Sequence, residues 1–339
     1  MVSMKDIAQA CGVSVASVSK ALRDQRDISE ETKRQIRDKA RELGYFPNSV
    51  ARTLKTNRSY NLGVLFSDES RSGLTHDYFA SVLESFKEAA EEKDYDITFV
   101  NRNRQRSSRM SYLEHVRYRN FDGVVIACVD FTDPEVEELV ESDVPVVTID
   151  HVFNNRIAIL SDNVRGMREL LTYVYGMGHR RIAYVHGADS SVTRSRLSSF
   201  YRTAEELGLD VPEEYVRQAA YRDTAGASEQ TRFLLGLPMP PTCILYPDDF
   251  ACFGGINVIR EQGLRVPEDI SVAGYDGIRL GRHVSPRLTT LRQDTERLGR
   301  CAAQELIGLI EHPKTSVPGI IQIEGSVYKG GSVGKRSGF

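Results

Sequence analysis

Apolar residues recur along the chain in two different patterns. Near the start they are spaced three or four residues apart, as on one face of an α-helix. From residue 62 onward, short apolar runs of strand length alternate with helical patterns. The chain is therefore predicted to have a small all-α headpiece followed by a larger α/β body.

Start and stop signals divide the headpiece into three helices. Ser3, Ser14 and Ser29 stand at N-cap positions, and Asp6 is placed to complete a capping box with Ser3. Gly44 fits the end of the third helix. The predicted apolar faces are Ile7, Ala8 and Cys11 in the first helix, Val15, Val18, Ala21 and Leu22 in the second, and Ile36, Ala40 and Leu43 in the third.

The spacing between the first two helices is typical of a helix-turn-helix. Ala8 is small enough for the second helix to cross closely, Gly12 permits a tight turn, and Val18 can fill the core between the helices. In this motif the second helix enters the DNA major groove. A small three-helix bundle without DNA contact is the alternative that this spacing leaves open.

The body contains two successive sets of alternating strands and helices. The first set has predicted strands at 62–66, 96–100, 123–127 and 144–149 and helices at 78–92 and 109–119. The second, after about residue 161, has helices at 163–177, 195–207, 224–235 and 249–262 and strands at 181–185, 215–218, 242–245 and 270–274. A strand at 288–294, a helix at 295–311 and a strand at 319–323 follow. We expect two lobes, each a parallel sheet sandwiched by helices, with a ligand cleft at the carboxyl ends of the strands.

Charge is unevenly distributed between the headpiece and the body. Residues 1–60 hold twelve Lys/Arg against seven Asp/Glu, a net charge of +5, whereas the whole chain carries −3. A basic segment on an acidic body indicates that the segment contacts a polyanion. Chance clustering on solvated helices is the alternative interpretation of the charge alone.

The sequence lacks the motifs that are typical of several functional classes. The five cysteines are scattered without a Cys-x-x-Cys pair, which favours reduced thiols in the cytoplasm over a disulfide framework or a zinc site. No apolar run approaches the ~20 residues of a membrane helix, and no signal peptide is evident. Dinucleotide, phosphate-loop, nucleophile-elbow and metalloprotease motifs are missing, so we expect no enzyme activity, cofactor or metal.

Specific motifs then indicate a family. Residues 4–22, which run Met-Lys-Asp-Ile-Ala-Gln-Ala-Cys-Gly-Val-Ser-Val-Ala-Ser-Val-Ser-Lys-Ala-Leu, resemble the lactose-repressor/galactose-repressor (LacI/GalR) family of transcription regulators. So do residues 44–48 and 51–54, and the resemblance continues through 176–182 and 274–276 over nearly the whole chain. It implies a helix-turn-helix headpiece, a two-lobed body like that of periplasmic binding proteins, and a homodimer on a pseudo-palindromic operator.

The resemblance also implies domain bounds. They are a DNA-binding headpiece at 1–47, a hinge helix and linker at 48–59, a first lobe at 60–161 plus 292–318, and a second lobe at 162–291 plus 319–339. In the family, the hinge folds on DNA and inserts a leucine into the minor groove, and Leu54 matches that leucine. Some family members have a leucine-heptad tail that joins dimers into tetramers, and since no heptads are seen after residue 330 we expect a dimer.

The second headpiece helix carries the expected base contacts. Lys20 can donate to guanine O6 or N7, and Val15 and Ala16 can touch a thymine methyl. The family usually has arginine where Lys20 stands, and lysine lacks the bidentate fork. Serine and threonine hydroxyls can bind phosphates or cap helices. The full expected DNA-binding set is Met4, Lys5, Ser14, Val15, Ala16, Ser17, Ser19, Lys20, Ser29, Thr32, Tyr45, Asn48, Ala51 and Leu54.

Four charged residues beyond predicted strand ends are the main effector candidates. They are Asp150, Arg196, Asp248 and Asp276, and we expect Asp248 to point into the cleft while Asp249 caps the next helix. Tyr78, Phe79 and Asp130 are weaker candidates, as are Asp77 and Phe131. Several carboxylates with one arginine suit the hydroxyl groups of a sugar or sugar-like molecule.

The sequence thus predicts a ligand-responsive repressor of carbohydrate metabolism. We expect it to be cytoplasmic and to have operator DNA, a small effector and a second copy of itself as partners. A corepressor-dependent regulator with a non-sugar effector is the first alternative. A solute-binding transport protein and an α/β enzyme are further alternatives, which the headpiece and the missing catalytic motifs oppose.

Overall fold

The computed structural model describes residues 2–22, 24–46, 58–67, 73–101 and 110–336. It divides into two compact units, Met1–Ser59 and Tyr60–Phe339. The candidate residues Asn48, Ala51 and Leu54 lie outside the described residues.

The first unit contains the three predicted helices, which span Met4–Cys11, Val15–Leu22 and Glu30–Glu42. Their apolar faces meet in one core, which is made of Ile7, Ala8, Val18, Ala21, Ile36 and Ala40. The helical periodicity seen in the sequence therefore corresponds to the buried face of each helix.

The second unit alternates strands and helices as predicted. The strands are β1 (Asn61–Phe66), β2 (Asp96–Phe99), β3 (Gly123–Ala127), β4 (Val146–Ile149), β5 (Ile157–Ser161), β6 (Ile182–His186), β7 (Val216–Gln218), β8 (Cys243–Leu245), β9 (Ser271–Asp276), β10 (Thr289–Arg292), β11 (Ile320–Ile323) and β12 (Ser326–Tyr328). The α-helices span Asp77–Glu91, Tyr112–Arg119, Pro134–Glu141, Asn163–Gly176, Ser191–Glu206, Thr224–Leu235, Asp249–Glu261 and Thr295–Glu311.

Two six-stranded sheets form the cores of the two lobes within the described residues. The first has the order β11-β5-β4-β3-β1-β2 and the second the order β12-β10-β9-β8-β6-β7. Every pair in the first sheet is parallel. The second sheet departs from the all-parallel expectation at its edge, because β12 is antiparallel to β10. A single antiparallel edge strand is common on such sheets.

The chain crosses between the lobes three times. It leaves the first sheet after β5, returns after β10, and leaves again after β11. The helix Thr295–Glu311 belongs to the first lobe, where Leu298, Ala302 and Leu306 enter its core. Gly299 permits this packing, since a Cβ there would lie 2.1 Å from the Val82 carbonyl oxygen.

The expected assignment of residues 319–323 to the second lobe is wrong. Ile320 to Ile323 pair with β5 in the first sheet. Because β11 pairs with β5, it belongs to the first lobe. The chain therefore re-enters the second lobe only after Ile323, at β12, which pairs with β10.

The helix predicted at 195–207 begins four residues earlier, at Ser191. The reason is local, because the Ser190 hydroxyl accepts a hydrogen bond from the Thr193 N–H and caps the helix. The earlier start brings Ser191 and Thr193 onto the first turn of the helix that carries Arg196.

None of the helices in the described part of the chain is both long and apolar enough to cross a membrane.

Candidate DNA-binding and effector-binding sites

The turn of the helix-turn-helix is built on Gly12. This residue has φ +66°, in the left-handed region, and it ends the first helix. The next N–H, that of Val13, donates to the Ala8 carbonyl at 3.0 Å. An L-residue at position 12 would be strained there, so the sequence signal for a tight turn is confirmed.

The predicted N-caps of the headpiece are confirmed. The Ser3 N–H donates to the Asp6 carboxylate at 2.8 Å. The Ser14 hydroxyl accepts from the Ser17 N–H at 3.0 Å, and the Ser29 hydroxyl accepts from the Thr32 N–H at 3.2 Å. Ser14 and Ser29 remain exposed while they cap, so each hydroxyl stays accessible to a partner outside the protein.

The two valines of the second helix differ in solvent exposure. Val18 is fully buried, whereas Val15, three residues earlier, is 42% exposed. Ala16 is exposed beside it, and Lys20 is partly exposed. The apolar groups expected to contact bases therefore lie on the surface and outside the headpiece core.

The remaining headpiece candidates that the structure describes also reach the surface. Those that are exposed or partly exposed are Met4, Lys5, Ser17, Ser19, Thr32 and Tyr45. The Lys20 ammonium donates a hydrogen bond to the carboxylate of Asp27, in the segment that leads to the third helix.

In the body, Asp150 lies directly after β4 with φ +60°. It accepts a hydrogen bond from the Tyr78 hydroxyl at 2.8 Å and one from the Ser161 N–H at 3.3 Å. Burial raises the pKa of Asp150 above its ordinary value, against the opposing effect of these hydrogen bonds. Asp150 and Tyr78 are thus joined by a side-chain hydrogen bond within the first lobe.

Arg196 is buried in the second lobe, with 3% exposure. Its Nε donates to Asn163 Oδ1 at 2.7 Å, and its Nη1 donates to the Pro247 carbonyl at 2.9 Å. The guanidinium carbon lies 3.5 Å from the centre of the Tyr275 ring. These contacts fix the orientation of the guanidinium, as expected of a residue that binds a ligand at a defined angle.

Asp276 ends β9 with φ +101°, and Gln293 Nε2 donates to its carboxylate at 2.7 Å. Burial raises the pKa of Asp276 to about 7, although Arg196 opposes this effect. The negative charges of Asp248 and Asp150 act in the same direction as burial. The charges of Arg196, Asp248 and Asp150 therefore all influence the pKa of the Asp276 carboxyl group.

The expected roles of Asp248 and Asp249 are reversed. Asp248 is the N-cap of the helix Asp249–Glu261, and its two oxygens accept from the N–H groups of Ala251 at 2.9 Å and Arg222 at 2.7 Å. Asp249 is fully buried and points inward, where it accepts from Thr290 Oγ1 at 2.6 Å and the Ile278 N–H at 2.8 Å. The helix begins at Asp249, one residue earlier than the expected roles require.

The weaker candidates of the first lobe differ in their surroundings. Tyr78 is buried and Phe79 is packed partly into the core, where its ring centre lies 5.7 Å from that of Phe66. Asp130 is exposed and accepts from the Thr132 N–H at 2.9 Å, as in a turn. The Phe131 ring stacks on His151 at 4.1 Å between centres.

A cavity of about 360 Å³ opens between the lobes next to Asp150. It is lined by Asp150, His151, Val152, Leu160, Ser161, Asn163, Val164, Ser191, Val192, Arg194, Ser195 and Gln322. Asn163 lines this cavity and accepts the hydrogen bond from Arg196 Nε. The volume falls within the range of small-molecule sites. Arg196, Asp248 and Asp276 do not themselves line this cavity.

Several residues of the cleft were not anticipated from the sequence. Asn163 comes two residues after the end of β5 and Gln293 comes one residue after the end of β10, and such positions were an available signal. The signal was missed for Asn163 because β5 itself was not predicted. Arg222 carries no such signal, because its contacts are made across the cleft with Thr75 and Asp77 of the first lobe.

Two family models match the chain. One, described as bacterial regulatory proteins of the lacI family, matches residues 3–48. The other, described as a periplasmic binding protein-like domain, matches residues 171–333.

The chain is also similar to curated proteins over nearly its full length. It is 30% identical over 326 residues to the probable HTH-type transcriptional repressor ExuR of Bacillus subtilis, which covers 95% of this chain and 96% of that protein. It is 31% identical over 316 residues to the HTH-type transcriptional repressor PurR of Pectobacterium atrosepticum, with 91% of each chain covered.

A solved structure matches this chain over nearly its full length. The lac repressor dimer bound to operator and the anti-inducer ONPF has a TM-score of 0.79 and 25% identity, and the match covers 98% of this chain and 99% of that one. That structure contains both operator DNA and the anti-inducer.

Proposed function

Because this chain belongs to the lacI family of bacterial regulatory proteins, we propose that it is a transcription repressor whose hold on operator DNA is set by a small effector. The observation that carries the proposal is the helix Val15–Leu22. It follows a glycine turn, buries Val18, and leaves Val15 and Ala16 at the surface. A recognition helix must have this division between a core face and a DNA face.

In this proposal the second helix contacts the bases in the major groove. Lys20 donates to guanine O6 or N7, and Val15 and Ala16 contact thymine methyl groups. Ser14, Ser17, Ser19, Ser29 and Thr32 bind phosphates, with Met4, Lys5 and Tyr45 beside them. Asn48, Ala51 and Leu54 keep their predicted hinge roles.

We also propose that two copies bind one pseudo-palindromic operator. A single headpiece of this size contacts only a half-site, and two-fold symmetry places two recognition helices about one turn of DNA apart. The lac repressor, which is similar over nearly the whole chain, is a dimer on its operator.

For the effector we propose a sugar or sugar-like molecule between the lobes. Asp150 and Asp276 would accept hydrogen bonds from hydroxyl groups, and Arg196 would donate. Both Asp248 oxygens already accept backbone hydrogen bonds, one from Ala251 at the helix cap and one from Arg222, so its role would be to shape the cleft wall. Tyr78 would orient Asp150, and Phe79 and Asp130 would lie at the rim. The regulator CelR, which shares the fold, is known in complex with cellobiose.

The proposed activity consists of binding alone, without catalysis. A repressor also has to meet its operator, which places the proposed site of action in the bacterial cytoplasm. Coupling requires that the effector bind one arrangement of the lobes more tightly than another.

A gel-shift titration with the DNA upstream of its own gene tests the DNA-binding role. We expect full-length protein to bind with steep salt dependence, because phosphate contacts release counterions. Lys20→Ala should weaken specific binding by about tenfold or more. Lys39→Ala, which removes a lysine paired with Glu42 on the third helix, is the matched control. Equal binding by wild type and Lys20→Ala would contradict the proposal.

A thermal-shift panel of sugars, sugar acids and purines tests the effector class. A ligand that binds only the folded protein raises its melting temperature. Asp150→Asn should remove the shift, whereas Asp143→Asn, at an exposed ion pair with Arg117, should retain it. A shift produced only by anionic compounds would overturn the sugar assignment.

A further inference from the structure

An acidic residue stands where the headpiece is expected to meet DNA. Asp27 lies two residues before Ser29, the N-cap whose hydroxyl is a predicted phosphate contact, and its side chain is 52% exposed. A carboxylate near phosphates costs free energy by like-charge repulsion. We therefore expect Asp27 to make a favourable interaction that offsets this repulsion.

The partner of Asp27 is Lys20, the predicted base-contacting cation. The Lys20 ammonium donates to the Asp27 carboxylate, and the Lys20 side chain is 45% exposed. This hydrogen bond lowers the pKa of Asp27, so the carboxylate stays ionised at neutral pH. The other acidic residue of this segment, Asp24, pairs instead with Lys33 at 3.2 Å and Arg37 at 2.7 Å on the third helix.

An ammonium group has three N–H donors, and guanine offers two acceptors in the major groove, O6 and N7. Arginine addresses both with a rigid planar fork, whereas lysine carries a point charge on a flexible stem. A carboxylate that accepts a hydrogen bond from one of the three N–H groups would fix the position of the other two. The pair would then supply the orientation that lysine lacks.

We propose that Asp27 is a specificity-determining residue of the DNA-binding site, which holds the Lys20 ammonium in position to discriminate guanine from the other bases. The proposal rests on the base-contacting role of Lys20 given above. Asp27 is a positioning residue in this scheme, and it touches DNA only through Lys20.

The test measures discrimination at single base pairs. Full-length wild-type protein selects a duplex from a random-sequence library, and each base pair of both half-sites is then replaced in turn. Lys20→Ala identifies the base pair that Lys20 contacts. We expect Asp27→Asn to reduce discrimination at that base pair by about three- to tenfold, since a well-placed contact of this kind accounts for about that much or more.

Two opposite effects distinguish positioning from folding. Asp27→Asn should strengthen binding to nonspecific DNA a fewfold, because a negative charge is removed, while discrimination at one base pair falls. Asp27→Glu should retain discrimination. Asp38→Asn removes a similarly exposed carboxylate, paired with Arg34 on the third helix, and should leave discrimination intact.

A further variant tests the reason for the pairing. In Lys20→Arg the fork carries its own orientation, so adding Asp27→Asn should cost less discrimination than it costs beside lysine. Unchanged discrimination in Asp27→Asn, or an equal loss of affinity for every duplex, would overturn the proposal while leaving Lys20 as a base contact. If Lys20→Ala changed no base preference, the proposed role of Lys20 would fail, and the role of Asp27 with it.

Discussion

The Arg222 guanidinium of the second lobe lies 3.6 Å from the Asp77 carboxylate of the first, measured from Nη1 to Oδ2. Arg222 also donates to the Thr75 carbonyl at 3.5 Å, and its guanidinium carbon lies 3.9 Å from the centre of the Phe250 ring. Its side chain is only 13% exposed. A cation fixed on one wall of the cleft thus contacts the opposite wall.

This contact should couple the two lobes in effector binding. Arg222→Ala and Asp77→Asn should each change the effector Kd in the same direction. The double variant should change it by less than the product of the two, with a coupling of about 0.2–1 kcal/mol. Calorimetric titration of the strongest compound from the sugar panel measures the cycle.

The control for this cycle stays within one lobe. Arg217 donates to Gln230 at 2.9 Å and lies over the Phe233 ring at 4.3 Å, all in the second lobe. Arg217→Ala should leave the effector Kd unchanged. Strict additivity of the Arg222 and Asp77 changes would show that the contact does not couple the lobes.

Effector affinity should depend on pH through Asp276. Its pKa is raised to about 7, so near neutral pH the carboxyl is partly protonated in the free protein. Hydroxyl donors favour the ionised form, so binding should release a proton and the Kd should fall as pH rises from about 6 to about 8. Calorimetry in buffers of different ionisation enthalpy detects the proton.

Asp276→Asn should remove this pH dependence. His151→Gln should retain it, although His151 lines the cavity, because burial lowers the pKa of that imidazole and so favours its neutral form. The same raised pKa affects stability with the opposite sign. The contribution of Asp276 to folding is fully present below pH 4 and is lost as pH rises through 7.

Two neighbouring threonines should differ in their contribution to stability. Thr290 Oγ1 donates to the buried Asp249 at 2.6 Å, so Thr290→Val should lower the free energy of unfolding by about 1–3 kcal/mol. Thr289 is also buried, but its hydroxyl has no hydrogen-bond partner among the described residues.

Thr289→Val is therefore the matched control. It should be neutral or stabilising, because valine has the same shape and no polar group to desolvate. Urea denaturation of both variants at one pH measures the difference. Equal losses would mean that Asp249 does not depend on the Thr290 hydroxyl.

Val15 and Val18 should separate DNA contact from folding on one helix. Val18→Ala opens a cavity in the headpiece core and should cost the headpiece about 2 kcal/mol, measured by hydrogen exchange of its amides. Val15→Ala should leave exchange unchanged and weaken operator binding at one base pair. Unchanged exchange in Val18→Ala, or faster exchange caused by Val15→Ala, would contradict this division.

The periodicity of apolar residues predicted most of the fold because burial dictates it. Each headpiece helix buries a residue of its predicted apolar face, and these residues are Ile7, Val18 and Ile36, all fully buried. β12 was missed because a run of three residues, Ser326–Tyr328, has too few positions for a period to show. β5 was missed because Ile157–Ser161 is almost wholly buried, so its apolar run lacks the alternation that marks a strand.

The site was less accessible to sequence reasoning than the fold. Two adjacent aspartates compete for one cap, and only the start of the helix at Asp249 decides between Asp248 and its neighbour. Arg222 depends on how the lobes face each other, which no local pattern encodes. Asp150 and Asp276 could be placed because the carboxyl ends of parallel strands converge. Arg196 lies inside the helix Ser191–Glu206, and the family resemblance was what singled it out.

The three crossings between the lobes determine the order in which the molecule can be assembled during synthesis. The first sheet is incomplete until Ile320–Ile323 has been added beside β5, and its covering helix Thr295–Glu311 is made only shortly before. The helices of the headpiece, by contrast, are complete by Glu42. On the ribosome the DNA-binding unit can therefore fold long before the body that regulates it, because domains generally fold as units as the chain emerges.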